Sequence, residues 1–349
     1  MTLENNVSAY TMMENKKELT IYDISRLSGV SIATVSRVLN DSPKVSRDTK
    51  AKVMKVMDEH NYKPNVFAQG LGTGSIKTIG ILCADVSDIY LANAVSFLER
   101  ELRQEGFDTI LKCTGYDYEE KVKNLQGMLT RKVDAVVLVG SQYIEKSPKK
   151  NEYIKECAKH IPVMLLNGEL SGDNIYSILS NDEKAFYEST LYLINKGCKN
   201  ILFLQREDSN SQQRKLVGYL RALQDSNIKF KEEYQFRTTE RIQRIKDDLE
   251  EFFNSGKKVD GIIACDDELA IGALKFLEVK GISLSKEVSL IGCNNSVLSI
   301  SCEPELTSID NMCEVLCVDL VSTLMRVLNN EKAPSNTIIE CRLVKRETA

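Results

Sequence analysis

The spacing of apolar residues changes character once along the chain. From Leu19 to about Tyr62 they recur three and four apart, the period of amphipathic helices, with short polar interruptions. Thr20, followed three residues later by Asp23, is placed to cap a first helix over IYDISRLS, and Gly29 can end it in the left-handed conformation a tight turn needs. Ser31 is placed to cap a second helix, SIATVSRVLN, with Val35, Val38 and Leu39 at helical spacing. Asn40, Asp41, Ser42 and Pro43 read as a loop. Ser46, with Asp48 in the first turn, opens a third helix carrying Val53, Val56 and Met57 on one face. Three short helices with a glycine turn between the first two predict a helix-turn-helix domain over residues 19–63.

Residues 64–77 read as a short helical stretch, PNVFAQGLG, opened by Pro64 and weakened by Gly70 and Gly72, and then a linker. Two glycines in so short a helix predict a segment that folds only when something holds it. Residues 1–18 show no apolar period and are expected to be a disordered extension, in which Met12 and Met13 offer alternative translation starts.

From Thr78 the apolar positions come in continuous runs. TIGILCAD, FDTILKCT, KVDAVVLVG, HIPVMLLN, NILFLQ, VDGIIACD and VSLIGCN alternate with helical patterns. Strands apolar throughout and separated by helices predict parallel sheets covered on both faces. There are enough strands for two sheets, hence two lobes, expected at 78–178 plus 310–336 and at 179–309 plus 337–349. Ligands of open parallel sheets bind beyond the C-terminal strand ends, so two facing lobes predict a cleft between them.

Charge adds an asymmetry. Leu19 to Gly72 holds eight Lys/Arg against five Asp/Glu, a net +3, so the remainder carries −7 of the total −4. A basic head on an acidic body suits a nucleic-acid head on a sensor. The ten cysteines are scattered through apolar segments with no CxxC pair, as buried free thiols in a reducing compartment would be. With only His60 and His160, neither a histidine-based triad nor a histidine-rich metal site is expected. No GxxxxGK[ST] loop is present, and consecutive Asp266, Asp267 and Glu268 point in different directions. Neither an enzyme nor a cofactor or metal is therefore expected. The N-terminus lacks a secretory pattern and no apolar stretch approaches a membrane span, so a cytoplasmic protein is expected.

The pattern GVSxxTVSRVLN, then VSxxTxxKV, then NYxPN, resembles the head of the LacI/GalR family of bacterial regulators. TIGIL, KVDAVVLVG, CDDELAIGAL, VSLIGCNN and PELTSID resemble that family's core landmarks, in order, so the resemblance covers nearly everything after residue 18. It implies a periplasmic-binding-protein-like core, a homodimer, double-stranded operator DNA and a small-molecule effector as partners, and repression relieved or imposed by that effector. No leucine heptad follows the last strand-like segment, so a tetramer through such a tail is not expected.

The second helix would then enter the major groove. Arg37 is the expected base contact, because a guanidinium can donate two hydrogen bonds to guanine O6 and N7. Ile32 and Ala33 match the family's specificity pair but are apolar, suiting thymine methyls. Thr20, Tyr22, Ser31, Thr34 and Asn40 have short polar groups for phosphate contacts, which set register. PNVFAQGL resembles the family's hinge helix, in which Asn65, Ala68 and Leu71 would meet the minor groove and Leu71 would wedge between base steps.

The effector positions implied by the resemblance are Tyr90, Leu91, Asn167, Ser211, Lys215, Asp266 and Asn294. Here they depart from the family pattern. Lys215, beside Arg214, stands where many members have an arginine clamp, and a lysine is a mobile point charge rather than a planar fork. Asn294 stands in place of an aspartate, and Asn167 matches a position that is often acidic. Tyr90 can stack on a sugar ring while Leu91 offers only apolar contact. Asp267 could cap the helix after its strand. A sugar or sugar phosphate is the leading expected effector, with a nucleoside, another metabolite or a protein co-regulator as alternatives, in a pocket expected to be poor in negative charge. The segment NSVLSISCEPE has no arginine to grasp a phosphoserine, which disfavours control by a phosphorylated carrier protein.

Overall fold

The computed structural model describes residues 19–39, 42–62, 75–206, 209–238 and 242–349, the side chain of Gln243 aside. The expected extension at 1–18 and hinge residues 64–74 lie outside the described residues. The chain divides into two compact units, Met1–Ile76 and Lys77–Ala349.

Among its described residues the first unit holds three helices, α1 (Ile21–Ser28), α2 (Ile32–Leu39) and α3 (Arg47–Glu59). The Thr20 backbone N–H and hydroxyl both donate to the Asp23 carboxylate, at 3.0 and 2.8 Å, fixing the start of α1. Gly29 takes the left-handed conformation, φ +65°, and ends α1. The Ser25 hydroxyl donates to the Val30 carbonyl at 2.6 Å and ties down the turn into α2. Ser31 and Ser46 accept hydrogen bonds from the Thr34 and Thr49 amides at 3.2 and 3.3 Å, capping α2 and α3. The apolar stripes meet in one small core of Ile24, Val35, Val38, Val53 and Met57. At about 1.5–3 kcal/mol per fully buried aliphatic side chain, these five hold the three helices together.

In the second unit the elements are β1 (Thr78–Cys83), α4 (Ile89–Gln104), β2 (Asp108–Cys113), α5 (Tyr118–Thr130), β3 (Ala135–Val139), α6 (Glu152–Ala158), β4 (Val163–Leu166), β5 (Ile175–Ser180) and α7 (Asp182–Asn195). They continue as β6 (Ile201–Gln205), α8 (Asn210–Asp225), β7 (Gln235–Arg237), α9 (Ile242–Asn254), β8 (Gly261–Ala264) and α10 (Asp267–Val279). The last are β9 (Ser289–Cys293), α11 (Val297–Ile300), β10 (Thr307–Asp310), α12 (Cys313–Leu328), β11 (Asn336–Ile339) and β12 (Arg342–Val344).

The strands form two six-stranded sheets, β11-β5-β4-β3-β1-β2 and β12-β10-β9-β8-β6-β7. The first is parallel throughout; in the second, β12 runs antiparallel to β10, with Ser308 opposite Val344. The interior strands β1, β3, β4, β8 and β9 are buried at every position, as continuous apolar runs between two helical layers must be. Helices α4 and α12 cover one face of the first sheet through Leu98, Leu102 and Leu320, while α5 and α6 cover the other through Leu125 and Ile154. One larger core, with Phe186, Phe203, Tyr219 and Phe276, fills the second lobe. Helices α7 and α8 touch at Gly218, where an added Cβ would sit 2.0 Å from the Glu183 carbonyl oxygen.

The chain passes between the sheets three times: after Ser180, after Asp310, and between Ile339 and Arg342. The first and last crossings fall two or three residues beyond the positions 178 and 336 expected from sequence. β5 keeps its ladder through Ser180, and β11 alternates exposed and half-buried positions that carry no continuous apolar run.

Candidate functional sites

On the head, α1 and α2 present their polar residues to the outside. Tyr22 and Ile32 are 68% and 40% exposed, and Ala33 and Arg37 are exposed as well. Among the described residues the Arg37 guanidinium makes no hydrogen bond or ion pair, so its donors are available. The Ser31 and Thr34 hydroxyls lie 2.9 Å apart at the N-terminus of α2, with Thr20 at the N-terminus of α1. Helix N-termini bearing hydroxyls and unbonded N–H groups suit phosphate oxygens. Val35, one position from Thr34, is wholly buried, so the helix is fixed in rotation and Ile32 points away from the core. The expected contacts Asn40, Asn65, Ala68 and Leu71 lie outside the described residues.

In the second unit all seven expected effector residues, Tyr90, Leu91, Asn167, Ser211, Lys215, Asp266 and Asn294, line one cleft of about 450 Å³. It lies where the topology rule puts it, beyond the C-terminal ends of β1, β3 and β4 from one sheet and of β6, β8 and β9 from the other. Segments after these strands, and after β2, β5 and β10, bring in further residues: Asp85, Asp88, Tyr116, Gln142, Asp182, Arg206, Gln212, Glu268 and Asn311. Asp88 was findable, since a carboxylate a few residues past an apolar run and just before a helix is a capping signal. It accepts the Leu91 N–H at 2.9 Å. Asn311 follows β10, whose TSID carries no continuous apolar run.

The polar groups of the cleft are heavily committed to one another. The Asn167 amide donates to the Tyr90 hydroxyl and accepts from the Ser180 N–H and hydroxyl at 2.9 and 3.1 Å, which fixes the tyrosine in place. Asn167 sits at φ +58°, a conformation asparagine tolerates better than most residues. Buried Asp182 accepts from the Ser180 and Ser211 hydroxyls and pairs with Arg214 at 3.0 Å. Arg206 bridges Asp266 at 2.8 Å and Glu268 at 2.7 Å. Asn294, at φ +96°, accepts from the Asn311 amide at 2.9 Å. Among the described residues, hydrogen bonds from Ser141 to Ser209 at 3.2 Å and from Arg214 to the Asn167 carbonyl at 3.4 Å cross the cleft.

Three expectations change. Lys215 is no mobile charge: it is buried, donates to the Cys265 carbonyl at 2.8 Å and lies over the Phe186 ring. Burial opposes its charge, but neighbouring Cys293, Asp182, Cys265 and Asp266 outweigh burial and push its pKa up. The helix cap is Asp266, which accepts the Leu269 N–H at 2.8 Å, rather than Asp267. Asp267 turns inward to Ser296 and Ser308, and burial, against those hydrogen bonds, pushes its pKa up to about 6. The cleft is also rich in negative charge. The landmark positions lost carboxylates, yet among the described residues Asp85, Asp88, Asp182, Asp266 and Glu268 outnumber the cations Arg206, Lys215 and Arg214, the last paired with Asp182.

Among the described residues no helix is long and apolar enough to cross a membrane.

Residues 20–65 match the family profile described as bacterial regulatory proteins, lacI family, and residues 76–347 match periplasmic binding proteins and sugar binding domain of LacI family. An HTH-type transcriptional regulator of Lachnoclostridium phytofermentans is 46% identical over 330 residues, covering 95% of this chain and 99% of that protein. Catabolite control protein A of Priestia megaterium is 27% identical, over 92% of this chain and 96% of its own length. The fold matches a lac repressor dimer bound to operator and the anti-inducer ONPF, with TM-score 0.84 and 22% identity over 95% of this chain and 99% of that one. With the head, the two-sheet core and a full-length relative in agreement, the chain belongs to the LacI family of DNA-binding transcriptional regulators, which are not enzymes.

Proposed function

We propose that this protein is a cytoplasmic, homodimeric repressor whose operator affinity is switched by a polyhydroxylated small molecule bound between the two lobes of its core. The observation that carries the reading is the convergence of seven separately expected residues on one cleft at the strand ends of both sheets. A cleft of this size holds a mono- or disaccharide, and Tyr90 with Tyr116 supplies the apolar faces a sugar ring stacks on. A regulator described as CelR, with TM-score 0.69 to this chain, was solved as a cellobiose complex. Of the two leading classes expected from sequence, the unphosphorylated sugar fits better, because Arg206, Arg214 and Lys215 are already engaged.

On the DNA side, Arg37 is the base-reading residue, Ile32 and Ala33 fill the groove, and Thr20, Tyr22, Ser31 and Thr34 hold phosphates. Asn40, Asn65, Ala68 and Leu71 complete the interface, with Leu71 as the minor-groove wedge. A dimer is needed because one head spans a half-site. The test is selection of genomic fragments by the purified chain, followed by footprinting with and without sugars. A palindrome whose protection changes on adding one sugar is the expected result; protection unaffected by any sugar would remove the cleft from the switch.

A further inference from the structure

We infer that the cleft selects an amine-bearing, positively charged sugar, with Asp88 as the counter-ion of the ammonium group. The inference rests on the effector reading above and sharpens it.

Charge is the first observation. Among the described lining residues five carboxylates stand against Arg206 and Lys215, with Arg214 behind the lining paired to Asp182, and all three cations are tied down. Arg206 is held between Asp266 and Glu268, and Lys215 is anchored on the Cys265 carbonyl with Asp182 and Asp266 close enough to raise its pKa. An anionic ligand would meet either cation only together with its carboxylates.

Hydrogen-bond bookkeeping is the second, independent observation. Asn311 is 4% exposed and lines the cleft; its amide donates to Asn294, but its Oδ1 has no partner. The buried Oε1 of Gln212, also in the lining, lacks one too. Buried acceptors without donors are costly, and a ligand rich in N–H and O–H groups satisfies them. The open valences of the lining residues therefore ask for donors, although Arg214 Nε, behind the lining, is an unpaired donor.

Asp88 is where the two observations meet. Its Oδ1 caps α4 through the Leu91 N–H, and among the described residues it has no ion pair. Burial raises its pKa, opposed by the Leu91 N–H; the charge of Asp266 adds to the rise, and nearby Arg206, itself held by Asp266 and Glu268, opposes it. A half-buried carboxylate with no ion pair of its own gains most from an incoming ammonium. Tyr116 beside it offers a ring face to the same cation. A neutral sugar would leave the Asp88 charge uncompensated, and a sugar phosphate would add to it.

The test is calorimetric titration of the full chain, in a mildly acidic buffer free of amines. The probes are glucosamine, galactosamine and mannosamine, their parent hexoses, and the 6-phosphates of those hexoses. The expected result is that at least one hexosamine binds about 10-fold or more tightly than its parent hexose, with the phosphates weakest. Asp88→Asn keeps a good helix cap while removing the charge. It should bring the hexosamine down to the affinity of its parent hexose, while operator binding reports that the variant is folded. Hexoses or phosphates binding as tightly as hexosamines, or an amine preference that survives Asp88→Asn, would overturn the inference and leave the sugar-effector reading standing. Binding by none of the probes would overturn both.

Discussion

The head and the core cleft use polar side chains in opposite ways. On the head, Arg37 stands exposed with no partner among the described residues, and the hydroxyls of Ser31 and Thr34 cluster at a helix start. In the cleft, Arg206, Arg214 and Lys215 all hold protein partners at 2.7–3.0 Å. DNA is polyanionic and contributes its own order, so the surface that reads it can leave cations unpaired in water at little cost. A small effector is surrounded by protein, and any buried charge it does not itself neutralise must be neutralised in advance. Under the proposed roles, the cation placed to read DNA is free among the described residues, and the cations that shape the cleft are engaged.

The largest way to break this contrast is to remove an engaged charge. Asp182→Ala takes away the partner of Arg214 and the acceptor of two buried hydroxyls. It should cost the core about 3–5 kcal/mol, read by denaturant unfolding of the core transition. A loss below about 1 kcal/mol would mean the Asp182–Arg214 pair is no more than a surface bridge.

Asp267 gives the next effect, through pH. Its carboxyl ionises near 3.8 when ordinary and near 6 in the fold, so between those values the folded chain keeps a proton the unfolded chain has lost. Core stability from this group is therefore highest below about pH 4 and falls as pH rises to about 6, by at most about 3 kcal/mol. Asp267→Asn should flatten that part of the stability profile. A slope that survives the substitution assigns it to other groups.

On the head the expected losses are in binding rather than stability. Arg37→Ala should weaken operator binding by about 1–3 kcal/mol and relax preference at one base pair, with the unfolding midpoint unchanged. Uniform weakening on every sequence would make Arg37 a phosphate contact. Ile32→Ala, which removes only apolar contact, should cost about 1 kcal/mol or less, measured on the same operator.

Much of this arrangement is written in the chain. The interior strands announce themselves because a strand buried on both faces has no room for polar alternation, as in AVVLV of β3 and SLIGC of β9. The edge strands β11 and β12 do not: they pair on one side and are partly exposed, so their sequences NTII and RLV look like any loop, whereas edge strand β2 keeps a readable TIL run. The reversal of β12 comes from tertiary pairing with β10 and has no local signature. In the cleft the same division holds. Motif landmarks located Tyr90, Asn167, Lys215, Asp266 and Asn294, but they are silent on which groups pair. The inward turn of Asp267, the capture of Lys215 by a carbonyl and the arrival of Asn311 all depend on elements distant in sequence.

The account as a whole stands on a head that reads operator DNA and a cleft that changes its grip. Fragment selection by the full chain, followed by footprinting along a hexosamine titration and a salt series, tests both together. The account predicts a palindrome protected over two half-sites, affinity falling by orders of magnitude between about 50 and 200 mM salt, and a shift in operator affinity as the amino sugar is added. Fragments without a shared sequence, bound with a flat salt response and indifferent to the sugar, would contradict it.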